Sequence, residues 1–519
     1  MKKLKICSGK IVYGISYRRV SFLVRNLIAL FLLVNVSSFA NANSKRKPNI
    51  LYIFTDDQSI RTLSCYPEAH PWIRTPNIDK LAEKGVRFST CYTGAKCVPS
   101  RGNALTGMLQ HNYDKSTTYW PVEFRKQGYY TGMIGKWHWN VPRHKETWDW
   151  SAVYEHYLPG NSHNYYWDQS LRINGDTLLK LEKYSTDAYT DMTLEFLKER
   201  AKEKDRPWYF WLCYGGVHGP HTPADRHIGS YENTPEVKNP KDIFAPRPDK
   251  PEHMVNLETF KKDPVTGKPM KKNRTLDSWV KQYNEAVRSI DEGIGKIMTT
   301  LEETGQLENT IVVFTSDQGY AWGQHGYNLK IAPYDANLLA PLIFVKPNDF
   351  PQNKVCDIPV NGTDIIATFH SMCNIQPSQK LDGRDLTELI YKPEADFWNN
   401  EPMVQLYTGL IYGNDTIKSE LEKAHKTGDW SKFIVHRNTR TKAWMMLQTG
   451  KYKYVRYIYK DYIEELYDLE NDPEELTNLA VKPEYKVRLR KMRKQLLKEF
   501  RAKNCRFLDL LPEPVEKNI

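Results

Sequence analysis

The chain has 519 residues, 40% of them hydrophobic and 26% charged, with 30 Pro and 28 Gly dispersed along it. That composition excludes collagen-like and largely disordered chains, and the length allows two or three domains or one large α/β unit with an appendage. The formal charge of +12 would by itself point to a phosphate- or sulfate-rich partner, but seven of the basic residues lie within residues 1–42, which hold no acid, and the rest of the chain carries +5. No nucleic-acid partner is expected from so modest a bias.

After Arg25 comes an apolar run, Leu27 to Val36, then Ala40-Asn41-Ala42, a small-x-small pattern. A basic stretch, a short apolar core and that pattern read as a cleaved secretory signal over residues 1–42. The run is short for a membrane span, which needs about 20 apolar residues. The expected location is periplasmic or extracellular, with no stable membrane insertion after cleavage. Of eight cysteines, Cys7 falls in the leader, and the other seven lack CxxC spacing.

Asn49 to Phe54 is a nearly continuous apolar run ending in Thr55-Asp56-Asp57-Gln58, and Thr310 to Phe314 is a second, ending in Thr315-Ser316-Asp317-Gln318-Gly319. Such runs predict strands buried on both faces, as in a parallel sheet. Pro76 to Gly85 has helical spacing, Trp208 to Tyr214 predicts a third strand, and Ser278 to Gly305 predicts a long amphipathic helix. Residues 139–180, rich in Trp, Tyr and His, and residues 225–275, rich in Pro and Lys, read as long surface loops. Farther on, 434–460 shows short β-like runs, Glu464 to Asp472 a polar turn region, and Val481 to Lys503 a basic helix. Strands alternating with helices predict an α/β fold with a mostly parallel central sheet flanked by helices.

The densest chemical pattern is Cys97-Val98-Pro99-Ser100-Arg101, then four residues, then Thr106-Gly107. This string resembles the signature of the formylglycine-dependent sulfatases, type I sulfatases of the alkaline phosphatase superfamily, in which the Cys is oxidised to formylglycine (3-oxoalanine). The resemblance continues through Gly135-Lys136-Trp137-His138, His218-Gly219-Pro220-His221, Ser316-Asp317-Gln318-Gly319 and Glu465 to Pro473, over essentially the whole chain after the leader. It implies an alkaline-phosphatase-like catalytic domain over 43–400 and a smaller C-terminal α+β subdomain over 401–519 with a short antiparallel sheet.

It also implies roles. A hydrated aldehyde at position 97 offers two hydroxyls, one to attack sulfur and one through which sulfate can be expelled. Asp56, Asp57, Asp317 and Gln318, with the oxygen carried at position 97, make a hard oxygen shell suited to one Ca²⁺. Arg101 would steady the formylglycine and the metal ligands, Lys136 and Lys330 would bind sulfate, and His138 would hydrogen-bond the diol. His221 would be the acid or orienting donor at the leaving oxygen, with His218 able to exchange roles with it. Two departures stand out: Gln318 replaces the Asn or His of many relatives, and Leu339, in Tyr334 to Leu342, replaces a usual Arg.

The expected activity is hydrolysis of O-sulfate esters (a sulfuric ester hydrolase) with a sulfated polysaccharide or its oligosaccharides as substrate, such as algal ulvan, carrageenan-like glycans or glycosaminoglycans. Trp148, Trp150, Tyr154, Tyr165, Tyr166 and Trp167 are candidates either for a sugar subsite or for core packing, and His144, Lys145, His156 and His163 for further anion contacts or a solvated surface. A second partner implied is the maturation enzyme that generates formylglycine. Competing expectations are a phosphonate or phosphodiester hydrolase of the same superfamily and a non-catalytic binder of sulfated glycans.

Overall fold

A computed structural model of the chain describes residues 46–514, except for 139–143, 159, 162–164, 396–397, 399, 410–413, 432–440 and 461. The leader read over 1–42 and His163 lie outside the described residues. Pro48–Ile519 forms one compact unit.

In chain order the main sheet takes β1 (Asn49–Thr55), β2 (Val86–Phe88), β3 (Tyr130–Lys136), β4 (Trp150–Tyr154), β5 (Ser170–Ile173), β6 (Thr177–Lys180) and β7 (Trp208–Cys213). A small separate sheet follows, made of β8 (Lys261–Lys262), β9 (Pro269–Lys271) and β10 (Arg274–Thr275). The main sheet then resumes with β11 (Thr310–Ser316), β12 (Leu342–Val345) and β13 (Lys354–Cys356). Its spatial order is β13-β2-β12-β11-β1-β7-β3-β4-β5-β6. The five central strands, β11-β1-β7-β3-β4, are parallel; β12 and β5 pair antiparallel with them at the two sides, and the edge strand β13 pairs parallel with β2. All seven residues of β1 and of β11 are buried, as the unbroken apolar runs require.

Alternate residues of β1 pack into two separate cores. Leu51 and Ile53 face the side of α1 (Pro76–Glu83) and Ile50, Tyr52 and Phe54 the side of α2 (Cys97–Thr106). On the first side lie α3 (Ser185–Ala201) and α4 (Leu276–Glu303), and on the second α5 (Gly362–Met372). The long helix α4 starts where Thr275 Oγ1 accepts from the Ser278 N–H at 3.1 Å. Val280, Tyr283, Val287, Ile290, Ile294, Ile297 and Leu301 then form its buried stripe.

The C-terminal region is a four-stranded antiparallel sheet of β14 (Met403–Tyr407), β15 (Trp444–Thr449), β16 (Tyr452–Tyr457) and β17 (Glu465–Asp468). It is covered by α6 (Lys486–Ala502), which buries Leu489, Met492, Leu496 and Phe500.

Two sequence expectations need correction. Residues 139–180 are not simply a surface excursion, because β4, β5 and β6 extend the main sheet and bury Ala152, Val153, Tyr154 and Leu171. Glu464 to Asp472 is not a turn throughout, because Glu465 to Asp468 is a buried strand. Its polarity misled: Glu465 is fully buried and accepts from the hydroxyls of Tyr334 at 2.7 Å and Tyr457 at 2.6 Å, so a residue that reads as solvated is satisfied internally.

Candidate active site

Parallel pairing sets the site. Thr55 lies beside Ser316 in the β1–β11 register, so the next residues, Asp56-Asp57 and Asp317-Gln318, leave the sheet side by side at its carboxyl edge. The Asp317 N–H donates to the Thr55 carbonyl at 3.0 Å, and the Asp57 N–H donates to Asp317 Oδ1 at 2.9 Å. The neighbouring strand β7 runs into the loop carrying His218 and His221, stitched to β1 by the Asp56 N–H donating to the Gly216 carbonyl at 3.0 Å. Asp57 has φ 59°, and Tyr283, from α4, donates to its backbone carbonyl.

The Cys-x-Pro-Ser-Arg string is the first turn of α2, with Cys97 as its first residue and Pro99 in the first turn, where a missing N–H costs no helical bond. Gly107 closes the helix in the left-handed region (φ 68°), its N–H donating to the Asn103 carbonyl at 2.9 Å. Lys136 ends β3 after Gly135, whose φ of 99° and whose virtual Cβ contact of 1.9 Å with the Cys213 carbonyl leave room for no side chain.

These segments converge on Cys97 Sγ. Lys330 Nζ lies 2.8 Å from it, Asp56 Oδ1 3.4 Å and Gln318 Nε2 3.5 Å. Lys330 also reaches both Asp57 oxygens, at 2.6 and 2.9 Å. Lys136 pairs with Asp56 through a short contact. The Arg101 guanidinium is fully buried, donates to the Lys136 carbonyl at 2.6 Å and lies 3.3 Å from Asp317 and 3.5 Å from Asp56. Three carboxylates and three cations therefore balance in a buried pocket.

One ligand atom from each of Asp56, Asp57, Cys97 and Asp317 lies within 4.8 Å of all the others. Carboxylates this close and this buried disfavour full ionisation. Burial, followed by the charge of Asp56, pushes Asp317 up to about 7. Asp56 is held well below the usual carboxylate range, since the charges of Lys136, Arg101 and Lys330 outweigh the opposing effect of burial. Burial, then Asp317 and Asp56, pushes the Cys97 thiol up to about 12, so an unmodified Cys97 is a neutral thiol at pH 7.

This donor set fits a hard divalent cation held by Asp56, Asp57 and Asp317. Gln318 presents Nε2 rather than Oε1 to Asp57 and Cys97, while Ser100 Oγ bonds its Oε1 at 3.3 Å. An amide facing carboxylates alone turns its donor to them. A cation favours the opposite face, and the Ser100 hydroxyl can serve either end of the amide.

The histidines divide. His218 Nε2 lies 3.6 Å from Asp57 Oδ2, its ring is within 4.8 Å of Asp56 and Cys97 ligand atoms, and its side chain is 25% exposed. His221 is 3% exposed, its Nδ1 bonds the Val217 carbonyl at 2.6 Å, and its ring packs among Tyr283, Trp279 and Tyr320. The structure thus brings His218 against the Cys97 cluster and sets His221 behind it, a division the motif left open. Burial drives His221 down to about 3 and, with Lys136 and Lys330, drives His218 well below its ordinary value, so both are neutral at pH 7. Burial and the Lys136 charge likewise lower His138, whose Nδ1 is buried with no hydrogen-bond partner among the described residues.

Tyr165 was a candidate in the aromatic stretch without an assigned role. Its ring lies 4.8 Å from Lys136 Nζ and 4.2 Å from the His218 ring. Trp148, Tyr154 and Tyr166 are buried packing residues, His144 bonds Glu155 at 2.7 Å, and Lys145 pairs with Asp176 at 2.6 Å. Ser100 and Tyr283, which orient Gln318 and Asp57, were not singled out for a role, because a serine in a motif and a tyrosine on a core stripe carry no distinguishing sign in sequence. Leu339 lines a cavity of about 530 Å³ together with Glu68, Asp335 and Glu475. Arg61 and Lys241 also line it, and Lys453 lies 2.6 Å from Asp335 and 2.7 Å from Glu475.

Comparison with known proteins agrees with this geometry. Residues 48–375 match the sulfatase family model, and residues 417–503 match that of the N-sulphoglucosamine sulphohydrolase C-terminal region. The N-acetylglucosamine-6-O-sulfatase of Bacteroides thetaiotaomicron is 27% identical over 538 aligned positions, covering 90% of this chain and 88% of its own. A solved structure of a protein in complex with its substrate D-glucosamine-2-N,6-O-disulfate superposes with TM-score 0.73 at 22% identity, covering 89% of this chain and 99% of its own. The phosphonate monoester hydrolase of Agrobacterium radiobacter superposes with TM-score 0.64 at 18% identity, over 88% and 96% of the two chains, a likeness of fold alone. With the family model spanning more than half of its length, the chain belongs to the sulfatase family, the type I sulfatases of the alkaline phosphatase superfamily, and is a sulfuric ester hydrolase.

Proposed function

We propose that the chain is an exported, calcium-dependent sulfatase that removes O-sulfate from a sulfated glycan or its oligosaccharides, with formylglycine made from Cys97 by a maturation enzyme. The observation that carries the nucleophile assignment is the position of Cys97 Sγ, 2.8 Å from Lys330 Nζ and 3.4 Å from Asp56 Oδ1. An ordinary thiol gains nothing from such surroundings, whereas an oxygen nucleophile at that position would sit on the metal shell and beside a cation. Export rests on the leader-like residues 1–42, and among the described residues no helix is long and apolar enough to cross a membrane.

Asp56, Asp57 and Asp317, with Gln318 and the oxygen at position 97, would hold the ion. Bound there, calcium would acidify the hydroxyl at position 97 and draw charge from the sulfate oxygens. The protein's own residues do the rest. Carboxylates and cations cancel without the metal, so a divalent ion leaves the pocket at about +2, matched to a sulfate dianion as it departs. Lys330 and Lys136, anchored on Asp57 and Asp56, hold the non-bridging oxygens, and Arg101 fixes the Asp56–Asp317 pair from beneath.

With its Nδ1 on the Gly219 carbonyl, His218 turns Nε2 toward Asp57, 3.6 Å away on the side of the Cys97 cluster, while His221, its Nδ1 on the Val217 carbonyl, lies behind it. A neutral His218 accepts a hydrogen bond or a proton there, and returns that proton to the leaving oxygen only after taking it up. His138 contributes its Nδ1, which has no partner among the described residues, on the side of Lys136.

The glycan reading is supported by the named activity of the N-acetylglucosamine-6-O-sulfatase relative. The phosphonate-hydrolase alternative shares the fold. Parallel hydrolysis of the sulfate and phosphate esters of one alcohol tests the choice. A sulfate ester turned over at least tenfold faster supports the proposal, and the reverse preference overturns it. Desulfation of a small aryl sulfate far more efficiently than of any oligosaccharide would remove the glycan substrate while leaving the sulfatase.

A further inference from the structure

The Pro- and Lys-rich segment 225–275 contributes a hairpin that shares a cavity with His221. Strands β9 and β10 pair with Lys271 directly opposite Arg274. Lys272 (φ 47°) and Asn273 (φ 60°) form the left-handed two-residue turn between them. Like charges in cross-strand register repel. Among the described residues neither cation is paired with a carboxylate: Arg274 donates to the Ser278 carbonyl at 3.2 Å, and burial, followed by the Lys272 charge, drives Lys271 down to about 8.

Lys271, Lys272 and Arg274 line one cavity of about 280 Å³, whose other walls include Phe260, Trp279 and His221. Asn328 also lines it, 6% exposed, with an Oδ1 acceptor that has no partner among the described residues. The cavity therefore combines flat rings for the apolar face of a sugar with the aliphatic stems of three basic residues, whose charged ends lie beyond its apolar wall, and Asn328 Oδ1 is a buried acceptor behind it. Its wall includes His221, three residues after His218 in the chain, and Asn328, two residues before Lys330.

We propose that the Lys271–Arg274 hairpin is a second anion subsite, which holds a further sulfate or carboxylate of the same saccharide whose ring packs on Trp279. It rests on the glycan reading above and extends it: the substrate carries at least two anionic groups.

The test measures binding to Cys97→Ala protein by calorimetry. N-Acetyl-D-glucosamine-6-O-sulfate, uncharged at its amide nitrogen, and D-glucosamine-2-N,6-O-disulfate serve as a pair differing by one anionic group, and a monosulfated disaccharide with a uronate serves as the carboxylate probe. The second anion is expected to tighten binding by about tenfold, the value of one charge-assisted hydrogen bond. Adding Arg274→Ala or Lys271→Ala should cut that gain to about twofold or less, while Arg274→Lys should keep most of it. A gain from the disulfate alone identifies the anion as sulfate, and one from the uronate alone identifies it as carboxylate. Binding of the monosulfate with no gain from either second anion, or a gain that survives the Lys271→Ala, Arg274→Ala double variant, overturns the subsite alone. No saccharide binding, with aryl sulfate still hydrolysed by the unaltered enzyme, overturns the glycan reading and the subsite together.

Discussion

Asp317 offers a direct test of the cation site through its proton. Buried beside Asp56, it holds a proton in the folded protein up to about pH 7, whereas the unfolded chain releases it near 3.8. Between those values the folded state binds more protons than the unfolded one, so raising the pH destabilises the metal-free protein. The shift of about three units corresponds to a cost on the order of 4 kcal/mol, complete above pH 7. Asp56 acts in a separate window: its pKa is depressed, and its contribution is lost only below about pH 4. Scanning calorimetry in chelator should show the apparent Tm falling from pH 5 to pH 8 by on the order of 5 °C. Calcium should restore it, more at pH 8 than at pH 5. Asp317→Asn should make the profile in chelator shallower and abolish most of the calcium response. Glu475, also pushed up to about 7 by burial, titrates in the same range, so Glu475→Gln should leave the calcium response in place. A calcium response equal at both pH values, or one that persists in Asp317→Asn, would refute the reasoning.

Three further outcomes follow from the same geometry. Cys97→Ala should abolish turnover while keeping the apparent Tm within about 2 °C. In protein from a host with the maturation enzyme, mass measurement of the peptide containing residue 97 should show aldehyde in place of thiol, and full activity with unmodified Cys97 would exclude that chemistry. Lys330→Met, which strips the cation from Asp57 and from position 97, should lower kcat/KM by about 10²–10³-fold and cost about 3–5 kcal/mol in metal-free protein. Much of that stability loss should return with calcium. Leu339→Arg should be accommodated, since the acids Glu68, Asp242, Asp335, Glu474 and Glu475 outnumber Arg61 and Lys241 around the cavity beside it, and a loss above about 2 kcal/mol would show that the space is not open to a further cation.

The two strands that deliver the acids were legible in sequence because residues buried on both faces leave an unbroken apolar run, as in Asn49–Thr55 and Thr310–Ser316. The Cys97 string was legible because its parts are local: the Pro of a first turn and the Gly of a left-handed cap serve one short helix. What the sequence by itself determined is therefore the strand-borne acids, the motif-borne cations and the family they resemble.

The tertiary structure decided how charge and access are shared. That β1 lies against β11 and β7 is a matter of long-range pairing, and only it makes Asp57, Gln318 and His218 neighbours of Cys97. His218 and His221 differ by three residues in sequence, yet one is a quarter exposed beside the acids and the other is enclosed by Tyr283, Trp279 and Tyr320, because packing against α4 covers the second. The strand Glu465–Asp468 hid as a turn because its acid is neutralised by tyrosines from distant segments, and the Lys271–Arg274 pair hid in a loop composition because only the strand register sets the two charges face to face. Burial and pairing across the chain are not properties of any one segment, and they set which charges are compensated and which remain to bind a substrate.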